Sequence, residues 1–191
     1  MPHRLNSRVR RKAINTPGHA HELTFSCYQR FPFLKAERTC QWLAEAIEAA
    51  RVKHSFDLWV FVFMPEHVHL IVRPREPEYA MPRIMAGIKL PAARRAIHFL
   101  QETDLPWLAK ITRRRGQHTE RLFWQYGGGY DRNITCGKTL VRMLDYLHNN
   151  PVRRGLVERA ADWQWSSEAA FEGGSCPILL DPIPWEWLAD V

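Results

Sequence analysis

The amino-acid sequence predicts an α+β domain in which an antiparallel sheet carries packed helices, with one further helix after the last strand. Three observations lead there. An apolar hairpin occupies residues 58–72, helical periodicity flanks it at 37–54 and 81–101, and an amphipathic stretch closes the pattern at 138–150.

Residues 1–18 read as a flexible basic arm with Arg4, Arg8, Arg10, Arg11 and Lys12 and little apolar content, suited to backbone phosphates. Residues 21–29 alternate well enough for a first strand. Over 37–54, Trp42, Leu43, Ala46, Ile47 and Ala50 share one side of a helix, while Glu45, Glu48, Arg51 and Lys53 lie elsewhere. The run Leu58-Trp59-Val60-Phe61-Val62-Phe63-Met64 is short, continuous and rich in aromatic and branched residues, so it predicts a buried strand. A turn at Pro65-Glu66 leads into its partner, His67-Val68-His69-Leu70-Ile71-Val72. Residues 81–101 predict a second helix with Lys89, Arg94 and Arg95 around Ile84, Ile88 and Ile97, kinked or split at Pro91. Leu122-Phe123-Trp124-Gln125-Tyr126 is the candidate last strand. The order is β-α-β-β-α-β plus a helix, a ferredoxin-like arrangement.

The chain has 191 residues, 46% of them hydrophobic, enough for one well-packed domain with extensions. Its formal charge of +7 is unevenly spread. Residues after Arg159 hold six acids and no Lys or Arg, which leaves all 27 basic side chains and only 14 of the 20 acidic ones in residues 1–161. That surplus favours a polyanion, because each neutralised phosphate releases counterions. The sequence divides into the basic arm (1–18), a catalytic domain (19–160) and an acidic, Trp-rich extension (161–191). The extension is expected to fold over a basic groove or to cap the core. Four cysteines, Cys27, Cys40, Cys136 and Cys176, show neither a C-x-x-C pair nor zinc-ribbon spacing, so reduced thiols in a cytoplasmic protein are expected. No apolar run approaches the roughly 20 residues of a membrane span, and no secretion signal is visible at the N-terminus.

On a strand, side chains alternate, so His67 and His69 project from one face and Val68 and Leu70 from the other. Two imidazoles on a rigid strand make half of a metal site. In the helix over 138–150, Leu140, Leu144 and Leu147 form a stripe that should pack on the sheet. Tyr146 lies about 120° from Leu140 on an ideal wheel, at the stripe's edge, and Asn150 follows one turn later on nearly the same side. Pro151 is expected to end the helix and bias Asn150 toward extended geometry. A free tyrosine ionises near pH 10 and is a weak nucleophile unless assisted. A divalent ion on His67 and His69, with an oxygen donor such as Asn150, could orient a phosphodiester for in-line attack by the phenol. Ligand type alone admits Mn, Mg or Zn. The Arg113-Arg114-Arg115 cluster, near Lys110 and Arg121, is placed along a nucleic-acid path. Cys136-Gly137-Lys138-Thr139 is no phosphate loop, because Arg132 stands where that pattern needs glycine.

Four segments together resemble a known family. They are Met64-Pro65-Glu66-His67-Val68-His69-Leu70-Ile71-Val72, then Phe123-Trp124-Gln125, then the run from Asp145 to Val157 with its Y-x-H-x-N-P-V-x-x-G pattern, and last Trp163-Gln164-Trp165-Ser166-Ser167. In order and approximate spacing, residues 20–171 resemble the HUH single-tyrosine transposases and, among them, the REP-associated tyrosine transposases. The resemblance implies metal ligation by His67, His69 and Asn150, with Mg or Mn as the ion. It further implies that Tyr146 forms a 5′-phosphotyrosine link to single-stranded or hairpin DNA, resolved by a free 3′-OH without a nucleoside triphosphate. Arg8, Arg10, Arg11, Arg94, Arg95, Arg113, Arg114, Arg115, Arg153 and Arg154 are the candidate DNA contacts. One departure is the Gly127-Gly128-Gly129-Tyr130 insert, which makes Tyr130 a rival nucleophile on a glycine-flanked loop.

The function expected is a single-stranded DNA nicking and joining enzyme. A non-catalytic single-strand-binding module of the same topology is the alternative, and a phosphodiesterase using water is a remoter one. A monomer is expected, with a dimer as the alternative.

Overall fold

Strand alternation sorts the central sheet into two faces, and each face acquires its own cover. The structure, a computed structural model, describes residues 15–189 and 191. Four strands, β1 (Ala20–Ser26), β2 (Phe56–Met64), β3 (His67–Pro74) and β6 (Tyr130–Ile134), pair in the order β2-β3-β1-β6, all antiparallel. With β6 as the fourth strand this is the ferredoxin-like order predicted from the sequence.

One face is covered by α1 (Glu37–His54) and α2 (Met81–Thr103). Helix α1 buries Cys40, Leu43, Ala46, Ile47 and Ala50, spaced three and four apart, against Leu23 and Phe25 of β1 and Val68 and Leu70 of β3. Burying a Leu or Phe of this kind contributes about 1.5–3 kcal/mol. Arg51, Lys53 and His54 occupy the last turn of α1, where cations suit the helix dipole. Helix α2 runs through Pro91 as one helix, so the split into two shorter helices does not occur. The proline forfeits one backbone donor, while Ile84, Ile88, Ala92 and Ala96 stay buried in one core with α1 on both sides of it.

The last strand also differs from expectation. Residues 122–126 make only an isolated bridge, Trp124 to Cys27, and the sheet is completed instead by Tyr130–Ile134. The aromatic rings explain why. Phe123 and Trp124 are buried against the helical layer, and the Trp124 indole donates to the Lys89 carbonyl at 2.8 Å. Lys89 in turn donates to the Gly127 carbonyl at 2.8 Å. The glycine run then reverses the chain into β6. Gly129 has φ +97°, and a Cβ there would lie 2.5 Å from the Thr24 carbonyl oxygen, so only glycine fits.

Between α2 and β6 come α3 (Leu105–Ile111) and a separate ribbon of β4 (Thr112–Arg115) and β5 (His118–Arg121). Pairing within it is Arg113 with Glu120, Arg114 with Thr119 and Arg115 with His118.

The second face is covered by α4 (Gly137–His148). Leu140, Met143 and Leu147 are buried there against Val60, Val62, Met64 and Ile71, so Leu140 and Leu147 of the predicted stripe pack on the sheet while Leu144 is only partly buried and Met143 takes the central place. Helix α4 ends at His148, and Asn150 opens a separate helical turn, α5 (Asn150–Arg153), so Asn150 is helical rather than extended. Pro151 falls in the first turn of α5, where its missing N–H has no partner to lose. The acidic C-terminal stretch runs along the outer edge of β2. Phe63 N donates to Trp165 O, Ser167 N to Phe61 O and Asp181 N to Leu58 O, at 2.8–3.0 Å. An edge strand thereby has its backbone groups satisfied. Trp187 packs on Trp59 with centroids 5.2 Å apart.

Candidate metal and tyrosine site

The hairpin turn and strand register bring the two histidines of β3 onto the α4 face. His67 and His69 are both 7% exposed, and their Nε2 atoms stand 3.0 Å apart. Each ring is held from behind. Glu66 Oε1 lies 3.1 Å from Nδ1 of His67, and Thr24 Oγ1 lies 2.8 Å from Nδ1 of His69. Thr24 can do so because β1 pairs it directly with His69. Asn150, reaching in from α5, places its amide nitrogen 3.0 Å from His69 Nε2.

The electrostatics keep both rings neutral. Burial pushes the His69 imidazole down to about 3, and any charge on His67 and the Arg153 guanidinium act in the same direction. Burial also lowers His67, with Glu66 partly opposing it. Burial works against charge on Glu66 itself, yet hydrogen bonds and attraction from Arg154 and His67 hold it below the usual carboxylate range. Arg154 donates to Glu66 at 2.9 Å and Arg30 at 3.4 Å. Glu22, paired with Arg132 across β1 and β6, lies 4.0 Å from His69 Nδ1, and burial raises it.

Tyr146 is 53% exposed, on the outer side of α4. It lines a cleft of about 460 Å³ together with Glu22, Tyr130, Arg132, Thr139, Arg142 and Met143. Glu22 thus belongs both to that cleft and to the surroundings of His69. Arg153 lies over the tyrosine ring, its guanidinium carbon 3.9 Å from the centroid.

No family model matches the chain. A Haemophilus influenzae (strain Rd) protein provisionally named a REP-associated tyrosine transposase is 26% identical over 145 residues, covering 72% of this chain and 77% of that protein. This chain is similar to the REP-associated tyrosine transposases. The motif resemblance is borne out by that relative. The fold is shared with a solved REP-associated tyrosine transposase bound to a REP hairpin, at TM-score 0.63 and 20% identity, covering 91% of this chain and 92% of the other.

Within this REP-transposase-like architecture, the predicted site residues divide into two groups. His67, His69, Asn150 and Arg154 gather around Glu66 and His69 on the α4 face, and Tyr146, covered by Arg153, lines the neighbouring cleft that contains Glu22. Arg94 and Arg95 lie on α2, across the sheet from the histidines, and Arg95 pairs with Glu45. Arg113 and Arg114 are exposed on the β4–β5 ribbon, where Arg115 ends β4. Arg8, Arg10 and Arg11 lie outside the described residues. Tyr130, the rival nucleophile, begins β6 opposite Thr24 and lines the same cleft as Tyr146.

Glu22, Thr24 and Glu66 were not anticipated by sequence reasoning. Glu22 and Thr24 did leave a trace, as polar residues alternating with Leu23 and Phe25. Their partners depend on the register of β1 against β3 and β6, which no local pattern encodes.

Proposed function

We propose that this chain is a metal-dependent DNA nicking and joining enzyme, a tyrosine transposase acting on single-stranded DNA at hairpin or palindromic sequences. The observation that carries the proposal is the convergence of His67 Nε2, His69 Nε2 and the Asn150 amide, at 3.0 Å spacings, beside the cleft that Tyr146 lines. The name of the solved relative, a transposase bound to a REP hairpin, supports DNA of that kind as the partner.

The donor set fits a divalent cation. Glu66 accepts the Nδ1 proton of His67, and Thr24 can accept that of His69, so both Nε2 lone pairs face one another. Two lone pairs at 3.0 Å repel unless a cation lies between them. Among the described residues, no group of three or more His, Cys, Asp and Glu side chains is arranged to hold a metal. The third donor is therefore assigned to Asn150, whose amide presents its oxygen after a half-turn. Two imidazole nitrogens with an amide oxygen are intermediate in softness and admit Mn, Mg or Zn, and the family resemblance favours Mg or Mn. When bound, the ion neutralises charge on a non-bridging phosphate oxygen and orients the phosphorus.

The chain's own residues supply the rest. The Tyr146 oxygen attacks phosphorus in line, the bond from phosphorus to the 3′ oxygen breaks, and a 5′-phosphotyrosine link forms. The phenol releases its proton and the departing 3′ oxygen takes one up. Arg153 holds the attacking ring from above, while Arg132 and Arg142 in the cleft supply positive charge for the strand. Attack of the 3′-OH on the phosphotyrosine reverses the bond changes and rejoins DNA, so no nucleoside triphosphate enters. The exposed Arg113 and Arg114, Arg94 and the N-terminal arginines are assigned to the DNA backbone. Among the described residues no helix is long and apolar enough to cross a membrane.

The test is incubation with labelled hairpin single-stranded DNA and Mn or Mg, followed by a search for a denaturant-resistant adduct. The adduct should form, and Tyr146→Phe should abolish it while retaining DNA binding. Binding without any adduct would reduce the protein to a DNA-binding module, and released product without adduct would make water the nucleophile.

A further inference from the structure

The Trp163-Gln164-Trp165-Ser166-Ser167 segment plays no part in the chemistry above, yet it meets the end of α4 two residues from both Tyr146 and Asn150. His148, the last residue of α4, is 3% exposed. Its Nδ1 is hydrogen-bonded to the Glu168 carboxyl, and its Nε2 lies 2.8 Å from the Ser167 hydroxyl. Ser167 is fully buried and is fixed to β2 by both backbone groups of Phe61. Phe61 N–H donates to Ser167 Oγ at 3.2 Å, and Ser167 N–H donates to Phe61 O at 2.9 Å.

The directions of these bonds are consistent. Glu168 accepts the Nδ1 proton, which leaves Nε2 as the acceptor for the Ser167 hydroxyl. The hydroxyl's other acceptor, Phe61 O, is farther away at 3.2 Å. A serine, histidine and glutamate in line have the composition of a hydrolytic triad, but Ser167 is fully buried, out of reach of a substrate. The chain of contacts runs instead from β2 through Ser167 to the last turn of α4.

We infer that Ser167, His148 and Glu168 form a clamp that sets the pose of Tyr146 and Asn150, making His148 a positioning residue for strand cleavage. Leu147 anchors the same turn to the sheet by apolar packing, which is non-directional. The hydrogen-bonded imidazole adds the fixed rotation and depth that in-line attack needs, since misplacement by about 1 Å costs on the order of a hundredfold in rate. The phrase "strand cleavage" rests on the function proposed above; the clamp itself does not.

The experiment therefore has two readouts. The full chain is labelled with 3-fluorotyrosine, and the Tyr146 fluorine resonance is assigned by its loss in Tyr146→Phe. Glu168→Ala and, separately, Ser167→Ala should shift or broaden that resonance and leave that of Tyr28 in place. In the second readout, single-turnover adduct formation with labelled hairpin DNA at saturating Mn should slow about tenfold to a hundredfold in Glu168→Ala. The dissociation constant for that DNA should stay within about twofold. Glu168→Gln, which keeps an acceptor for Nδ1, should recover most of the rate. Glu172→Ala, an equal change of charge on the same segment, should match the parent. Glu168 is partly exposed, at 22% of its side chain, so its truncation leaves the fold standing. An unmoved Tyr146 resonance in either folded alanine variant overturns the clamp, as does a glutamine variant as slow as the alanine one. If the parent chain forms no adduct, the cleavage reading falls, and the fluorine spectra alone decide the clamp.

Discussion

Arg153 lies over the ring of Tyr146 at 3.9 Å and also donates to the Tyr146 backbone carbonyl at 2.9 Å, so one guanidinium holds both the ring and its helix turn. A planar guanidinium stacks its face on the ring while an edge N–H donates, a fixed geometry that the compact ammonium of lysine lacks. Arg153→Lys should therefore slow adduct formation about tenfold with hairpin affinity little changed, and Arg153→Ala should slow it further. Single-turnover kinetics beside a binding titration check this. Equal losses of rate and affinity would instead assign Arg153 to DNA contact alone.

The histidines are aimed by residues behind them. Thr24→Val deletes the partner at 2.8 Å from His69 Nδ1, and Glu66→Gln weakens the one at 3.1 Å from His67. Each should weaken Mn binding by about tenfold to a hundredfold. His69→Ala should abolish it while leaving the chain folded. Isothermal titration with Mn alone reads all three, without DNA.

Acid should destabilise the fold in a defined window. Burial holds His69 down to about 3 and His148 down to about 4. In the unfolded chain both rings protonate near pH 6.5, so the unfolded state binds more protons below that pH. Their contribution is complete above about pH 6.5 and is lost as pH falls toward 4, at about 1.4 kcal/mol per pH unit for each histidine. Glu22 and Glu168, raised by burial, oppose this at the acid end. His67, also lowered by burial, adds in the same direction as His69 and His148, so urea unfolding at pH 7.5 and 5.5 should show the loss, and His148→Gln should remove part of the slope. A pH-independent midpoint would contradict the assignment of two buried neutral rings.

The glycine run distinguishes conformational need from mere flexibility. Gly129 combines φ +97° with the Thr24 carbonyl oxygen 2.5 Å from any added Cβ, whereas a Cβ on Gly128 meets nothing within 4 Å. Gly129→Ala should cost about 2 kcal/mol or more, and Gly128→Ala should lie within about 0.5 kcal/mol of the parent. Denaturant midpoints separate them. Because Thr24 also supports His69, Gly129→Ala should weaken Mn binding as well.

The sequence by itself determined the elements whose pattern is local. Apolar spacing located α1 and the β2–β3 hairpin, and period-two alternation put His67 and His69 on one face, whereas the placement of Asn150 followed from the break after His148 that starts α5. Tertiary structure decided what depends on long-range pairing. It made Tyr130–Ile134 the fourth strand in place of 122–126, because Phe123 and Trp124 bury their rings against the helices. It carried α2 through Pro91, where packing on both sides outweighs one missing donor. It also joined Thr24 to His69 and Ser167 to His148, 45 and 19 residues apart in the chain. Hydrophobic periodicity records which side of an element is buried, but not what it is buried against, so strand register and buried polar partners appear only once the chain has closed on itself.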